Sequence, residues 1–188
     1  MSTAPATINT SLGRYDRVTI GFHWLTAALV VLLFGSSWLW DHVPRDLQWR
    51  RPLEDVHVSF GIAFAAVILG RIVWRWVRGR KLPADAGLQG LLSKLVHFAL
   101  YGLLILQVGL GFGLRWMQGE DFSFFGLFSI PQLFAPDRPL AHTLQELHSL
   151  TGWAIVILAA GHAVAALYHH YVARDGVLKR MIPAREAA

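Results

Sequence analysis

The sequence predicts an all-α protein, an integral membrane bundle of four transmembrane helices with both termini on one side. Three observations carry that prediction. Four apolar runs of about 22 residues each divide the chain, and a helix of about 20 residues spans the hydrocarbon core of a bilayer. Charged residues make up only 15% of the 188, against about 25% in ordinary globular proteins. The Lys and Arg residues lie between the apolar runs and sort unequally to the two sides. In lipid every backbone polar group must be satisfied within the chain, so the runs are read as helices.

Residues 1–13, rich in Ser, Thr, Ala and Asn, are read as a disordered tail. The first span covers 18–40. It is too long for a signal peptide and no small-residue cleavage site follows it, so it is expected to stay in the protein. The second span covers 56–77, the third 95–116 and the fourth 147–171. A single membrane domain is expected over 14–183, with a short tail at 184–188. Twelve Lys and Arg fall on the side of the termini and five on the other. The positive-inside rule makes the first side cytoplasmic. The formal charge of +5 follows from that bias and calls for no nucleic acid. The outer segment 117–146 carries Phe122, Phe124, Phe125, Phe128 and Phe134 beside three prolines. It reads as a loop in the headgroup region, with a lid over an outer site as the other reading. Trp24, Trp40, Trp74, Trp76 and Trp116 sit near span ends as an aromatic belt.

Chemistry enters with nine histidines, because an ionisable side chain inside a span is costly and marks function. His23 lies one turn into span 1 on the inner side. His57 opens span 2 and His148 opens span 4 on the outer side. His162 lies further along span 4 toward the inside. His42 and His142 are placed in outer loops, and His169 and His170 at the inner exit of span 4, where solvation explains them. His148 and His162 are fourteen residues apart. That spacing leaves them about 40° apart around one helix and roughly 21 Å apart along it. Depth then pairs His57 with His148 and His23 with His162.

Two facing imidazoles, with no Asp or Glu at the centre of any span, suit a planar macrocycle held by two axial ligands better than a bare metal ion. The residue four positions after each is small: Ala27, Gly61, Gly152 and Ala166. Residues i and i+4 share a helix face, so each ligand has flat space beside it. Tyr101 follows His97 at that offset, which sets His97 apart. His97 is left between bonding a propionate, lining a quinone pocket and plain packing. With no Cys in the chain, covalent haem attachment, iron–sulfur clusters and thiolate metal sites are excluded. Two non-covalent b-type haems are expected, with iron on His23, His57, His148 and His162. Arg71, inside span 2 at the inner level, is expected to hold a propionate. Arg14, Arg17 and Lys94 are weaker candidates.

These motifs resemble the bacterial cytochrome b561 family, the four-helix group related to the cytochrome b subunits of nickel–iron hydrogenases. The resemblance runs over 14–183. It rests on Arg14-Tyr15-Asp16 with Ile20-Gly21-Phe22-His23-Trp24, on His57-Val58-Ser59-Phe60-Gly61 and on His97 with Tyr101. It rests further on His148 to Gly152, His162, His169-His170-Tyr171 and the stretch 178–183. It implies two b haems on the histidines named above, and an electron carrier of the bacterial inner membrane exchanging electrons with ubiquinone. One stand-alone member of the family is a superoxide oxidase, passing electrons from superoxide to ubiquinone.

Superoxide is an anion, and Arg45, Arg50, Arg51, Arg115 and Arg138 are the outer cations available to steer it. Asp41, Asp46, Glu54 and Asp55 oppose them. The alternative is a cytochrome b subunit fed by a partner dehydrogenase, since this chain carries no flavin fingerprint or Fe–S ligands of its own. A non-haem di-iron membrane hydroxylase is a distant third, because it needs a denser His cluster than this chain offers. Gly109, Gly111 and Gly113 in span 3 offer room for a quinone or for close helix packing.

Overall fold

A computed structural model describes residues 13–44, 46–82 and 87–183. Its order is α1 (Arg17–His42), α2 (Arg50–Val77), α3 (Gly87–Gln118), β1 (Phe122–Phe124), β2 (Phe128–Ile130) and α4 (Arg138–Tyr168). A π-turn (His169–Ala173) and a 3₁₀ turn (Leu178–Met181) follow. All four helices are long and apolar enough to cross a membrane, as the sequence predicts. Of the tail read at 1–13 all but Gly13, together with the tail read at 184–188 and Arg45, lies outside the described residues.

The helices outrun the apolar runs. Three of them begin well before the hydropathy does: α2 at Arg50, α3 at Gly87 and α4 at Arg138. For α4 the reason is local. Asp137 caps its start by accepting the Leu140 N–H at 3.0 Å, and Pro139 sits in the first turn, where its missing N–H costs nothing. The outer loop therefore shrinks to 119–137, and His142 lies on α4, facing Glu146 at 3.6 Å. His42 is the last residue of α1, with Nδ1 donating to the Trp38 carbonyl at 2.7 Å.

Within the shortened loop, β1 and β2 form an antiparallel hairpin. Its turn uses left-handed backbone at Phe125 and Gly126, closed by the Leu127 N–H on the Phe124 carbonyl at 2.9 Å. The hairpin is fastened to α2. The Ser59 hydroxyl donates to the Ser123 carbonyl at 3.2 Å and accepts the Phe125 N–H at 3.0 Å. Phe122 is buried against Phe112 and Trp116. The segment is thus a docked cap over the outer end of the bundle.

Helix α1 packs along α2, and α3 along α4; the two hairpins touch each other much less. One buried cluster joins all four helices: Leu29, Phe64, Ile68, Leu104 and Ile155. It lies midway along the bundle, since Ile155 is seven residues from both His148 and His162. Elsewhere large side chains such as Val31, Leu69, Phe98 and Ile157 face outward, as lipid requires.

The inner end is tied by Asp16. It accepts the Thr19 N–H at 2.8 Å and the Thr19 hydroxyl at 2.6 Å. It also takes Trp74 Nε1 at 3.0 Å and the Arg80 N–H at 3.1 Å. One carboxylate thus caps α1 and joins it to the end of α2. Burial pushes the Asp16 pKa up, but the bonds from Thr19, Arg80 and Trp74 outweigh that and hold it well below the usual carboxylate range. The Trp24 indole donates to the Met181 carbonyl at 2.9 Å, fixing the C-terminal turn to α1.

A group whose folded pKa is depressed stabilises the fold above its unfolded value, and that contribution fades as pH falls through the folded one. Asp16→Ala is expected to cost about 1 kcal/mol for the lost cap alone, read as a lower melting temperature in detergent at pH 7. The gap to the wild type should narrow below about pH 4, where an unfolded Asp titrates. A gap that stays constant down to pH 2 overturns this.

Candidate functional site

The four predicted histidines meet in two pairs. His57 on α2 and His148 on α4 have ring centres 6.4 Å apart, with planes at 76°. His23 on α1 and His162 on α4 also have ring centres 6.4 Å apart, at 77°. Each contact joins the two histidines placed at one depth, and no crossed pair is seen among the ring contacts of the described residues. A metal–imidazole bond of about 2.1 Å, the zinc value, puts the centres of two imidazoles on opposite sides of one ion about 6.5 Å apart once the ring radii are added. Both pairs stand at that separation.

The outer pair borders a cavity with about 1140 Å³ of empty space, open mouth included. Its walls are mostly apolar, among them Val30, Phe34, Phe112 and Ile155, and it runs beside Gly61 and Gly152. A Cβ added at Gly61 would meet nothing within 4 Å, so the space beside His57 is open. Gly111 has another use than room for a quinone. A Cβ there would lie 3.2 Å from Cε1 of His148, so the missing side chain seats that imidazole against α3.

Several polar atoms at this cavity are unfulfilled. Gln107 Nε2 donates to His148 Nε2 at 3.1 Å, so the neutral ring carries its proton on Nδ1. His148 Nδ1, Gln107 Oε1 and Trp40 Nε1 are buried without a hydrogen-bond partner among the described residues. Buried groups normally find partners. A ligand entering between His57 and His148 would take up the lone pair now facing Gln107.

At the inner pair, Arg71 Nη2 donates to His23 Nδ1 at 3.3 Å. Its guanidinium also lies 5.0 Å over the Tyr101 ring. A half-buried cation therefore stands beside the inner imidazoles, where an anionic group of a cofactor would need one. His97 has its ring centre 5.0 Å from that of His162, but its Nδ1 donates to the Ser93 carbonyl at 2.6 Å and the side chain is exposed. Its geometry is that of a backbone-bonded histidine. Among the described residues no group of three or more His, Cys, Asp or Glu is placed to hold a bare metal ion. The arrangement suits a ligand that brings its own equatorial donors.

Comparison with known proteins places the chain in a family. The family model for prokaryotic cytochrome b561 matches residues 14–184. The chain belongs to that family. It is 31% identical over 173 residues to cytochrome b561 homolog 2 of Escherichia coli K12, covering 90% of this chain and 91% of that one. It is 31% identical over 173 residues to a probable superoxide oxidase of Yersinia pestis, covering 90% and 96%. It is 31% identical over 185 residues to cytochrome b562 of Cereibacter sphaeroides, covering 91% and 96%. As a cytochrome b561, the protein is a multi-pass membrane protein of electron transfer with the capacity to bind haem.

Two outer cations of this cytochrome stand differently from the sequence expectation. Arg115 is buried, 8% exposed, and donates to Glu54 at 2.6 Å. Arg50 lies 5.3 Å over the Trp40 ring and donates to the Trp40 carbonyl at 3.0 Å. Neither is a free surface charge. Arg51 and Arg138 are exposed.

If the space beside Gly61 holds a flat cofactor, filling it should expel that cofactor and leave the helices in place. Gly61→Leu is expected to lower the haem bound per chain, measured by pyridine haemochrome, with helical circular dichroism unchanged. Unchanged haem content overturns that role for Gly61.

Proposed function

We propose that this chain is a di-haem b-type electron carrier of the bacterial inner membrane, with both termini cytoplasmic, exchanging electrons with a quinone. The observation that carries the reading is the equal 6.4 Å spacing of both histidine pairs. His57 and His148 would hold the outer haem, and His23 and His162 the inner one, with Arg71 on an inner propionate. The residues fit. The outer pair has a cavity, an open flank at Gly61 and orphaned polar atoms, and the inner pair has a cation beside it.

When bound, each haem supplies a one-electron iron couple whose potential the protein sets through ligands, burial and nearby charge. The chain's own contribution is positional. Helix α4 carries one ligand at each depth, roughly 21 Å apart along its axis, while α1 and α2 supply the partners. Phe122 and the hairpin cap the outer end near the cavity, excluding water from one side. Two histidines holding each haem would leave no ready place for oxygen, which suits electron transfer over oxygen binding.

A reduced-minus-oxidised spectrum of the detergent-purified protein tests this. Low-spin b-type bands at about two haems per chain are expected. His57→Ala or His148→Ala should remove the outer haem and spare the inner. His23→Ala or His162→Ala should do the reverse. His97→Ala should keep both. A colourless protein after reconstitution with excess haem overturns the reading, as does haem loss in His97→Ala with none in His23→Ala.

The relative named a probable superoxide oxidase favours superoxide as the electron donor over a partner dehydrogenase. Steering would then rest on Arg51 and Arg138, the exposed outer cations among the described residues considered for it. Haem reduction by a superoxide flux is expected, slowed by added salt, because exposed charges are screened over about 10 Å at 0.1 M. It should slow again in Arg51→Glu/Arg138→Glu. A rate indifferent to both changes removes steering from the account.

A further inference from the structure

We infer that Ser36 is the positioning residue for His57: its hydroxyl decides which ring nitrogen carries the proton and leaves the other to bind iron. The inference rests on the di-haem reading above. A serine hydroxyl has one proton to give and two lone pairs to accept with. Ser36 Oγ lies 2.9 Å from the Leu33 carbonyl oxygen. A carbonyl only accepts, so the serine proton goes there. Toward His57 Nδ1, 3.0 Å away, the hydroxyl then has only a lone pair to offer, and the Leu33 carbonyl, which also bonds the His57 ring, is likewise only an acceptor. Nδ1 must donate. A neutral imidazole holds one proton, so Nε2 keeps its lone pair free.

The bond to Leu33 is local to α1, three residues back along the same helix. It sets the direction of the hydroxyl whether or not a cofactor is present. The bond to His57 reaches 21 residues along the chain, from α1 to α2. The tautomer at the outer site is therefore built in advance by the neighbouring helix. Among the other proposed ligands, two have polar partners on their rings and both face donors, His23 the Arg71 guanidinium and His148 the Gln107 amide. His57 faces an acceptor. The outer haem would then have unequal ligands, one with its far nitrogen hydrogen-bonded to oxygen and one with that nitrogen buried and unpartnered.

An acceptor on the far N–H makes the ligating nitrogen a stronger donor. A stronger donor favours ferric over ferrous iron and lowers the potential. Removing the hydroxyl should raise the outer haem's midpoint potential and leave the inner one unchanged. Threonine keeps the hydroxyl and can bond back along a helix as serine does.

The test is a redox titration of the purified holoprotein, wild type against Ser36→Ala, Ser36→Cys and Ser36→Thr, with low-temperature EPR of the ferric haems and a haem count. Ser36→Ala and Ser36→Cys are expected to raise the outer potential, to shift one of the two low-spin signals, and to weaken retention of that haem about tenfold against a haem-scavenging apoprotein. Ser36→Thr should match the wild type. Loss of the outer haem in Ser36→Ala, with two kept in Ser36→Thr, gives the same answer. Unchanged potential and EPR in Ser36→Ala with two haems bound overturns the inference and leaves the di-haem reading standing. So does a Ser36→Thr protein as altered as Ser36→Ala. A wild type that binds no haem overturns the reading itself.

Discussion

Imidazole nitrogens placed inside hydrocarbon are the constraint on which the rest of this protein depends. An unpaired buried polar group costs on the order of 1–3 kcal/mol, and lipid offers it nothing. Helix backbones are already satisfied along their own axes, so each ring nitrogen must find another partner. The protein answers in part, by bringing histidines together in pairs and giving one ring nitrogen in three of them a local partner: Ser36 for His57, Arg71 for His23, Gln107 for His148. The sparser contact between the α1–α2 and α3–α4 hairpins leaves room for the cavity beside the outer pair. A bundle packed tightly all round would press the paired rings together and close the cavity. Gly61 and Gly111 keep it shaped, the first by leaving space open and the second by admitting the His148 ring.

Much of this was legible in the sequence because it depends on periodicity along one helix. The four spans show as apolar runs. The pairing of histidines follows from the 14-residue interval on α4 and from chain direction, which fixes depth. The small residues at 61 and 152 announce space beside their histidines, and both line the outer cavity. Arg71 lies at the inner level as expected, against His23.

What was not legible depends on contacts between distant segments. Arg115 reads as an outer surface cation, yet Glu54, on another helix, takes it into the bundle. Charge counting cannot see that partner. Ser36 is one of two adjacent serines in span 1, and only the approach of α2 gives it a function. The hairpin at 122–130 looks like an aromatic interfacial loop because each strand is three residues long, below the reach of alternation. Its Phe125-Gly126 turn was the available sign. The early start of α4 had a sign too, in Asp137 followed by Pro139, hidden because hydropathy marks the lipid-facing part of a helix and not its capped end.

The buried cluster of Leu29, Phe64, Ile68, Leu104 and Ile155 divides the bundle at its middle, with one histidine pair on either side. It acts as an insulating septum. Protons and ions need polar stepping stones, and this layer is built of hydrocarbon side chains. An electron needs none, because it can tunnel through packed side chains. In the proposed function, an electron passing from the outer pair to the inner pair crosses this layer without a compensating proton. The crossing is electrogenic, and over the full membrane one charge against 100 mV is worth about 2.3 kcal/mol. The direction of flow would therefore answer to the membrane potential as well as to the chemistry at either end.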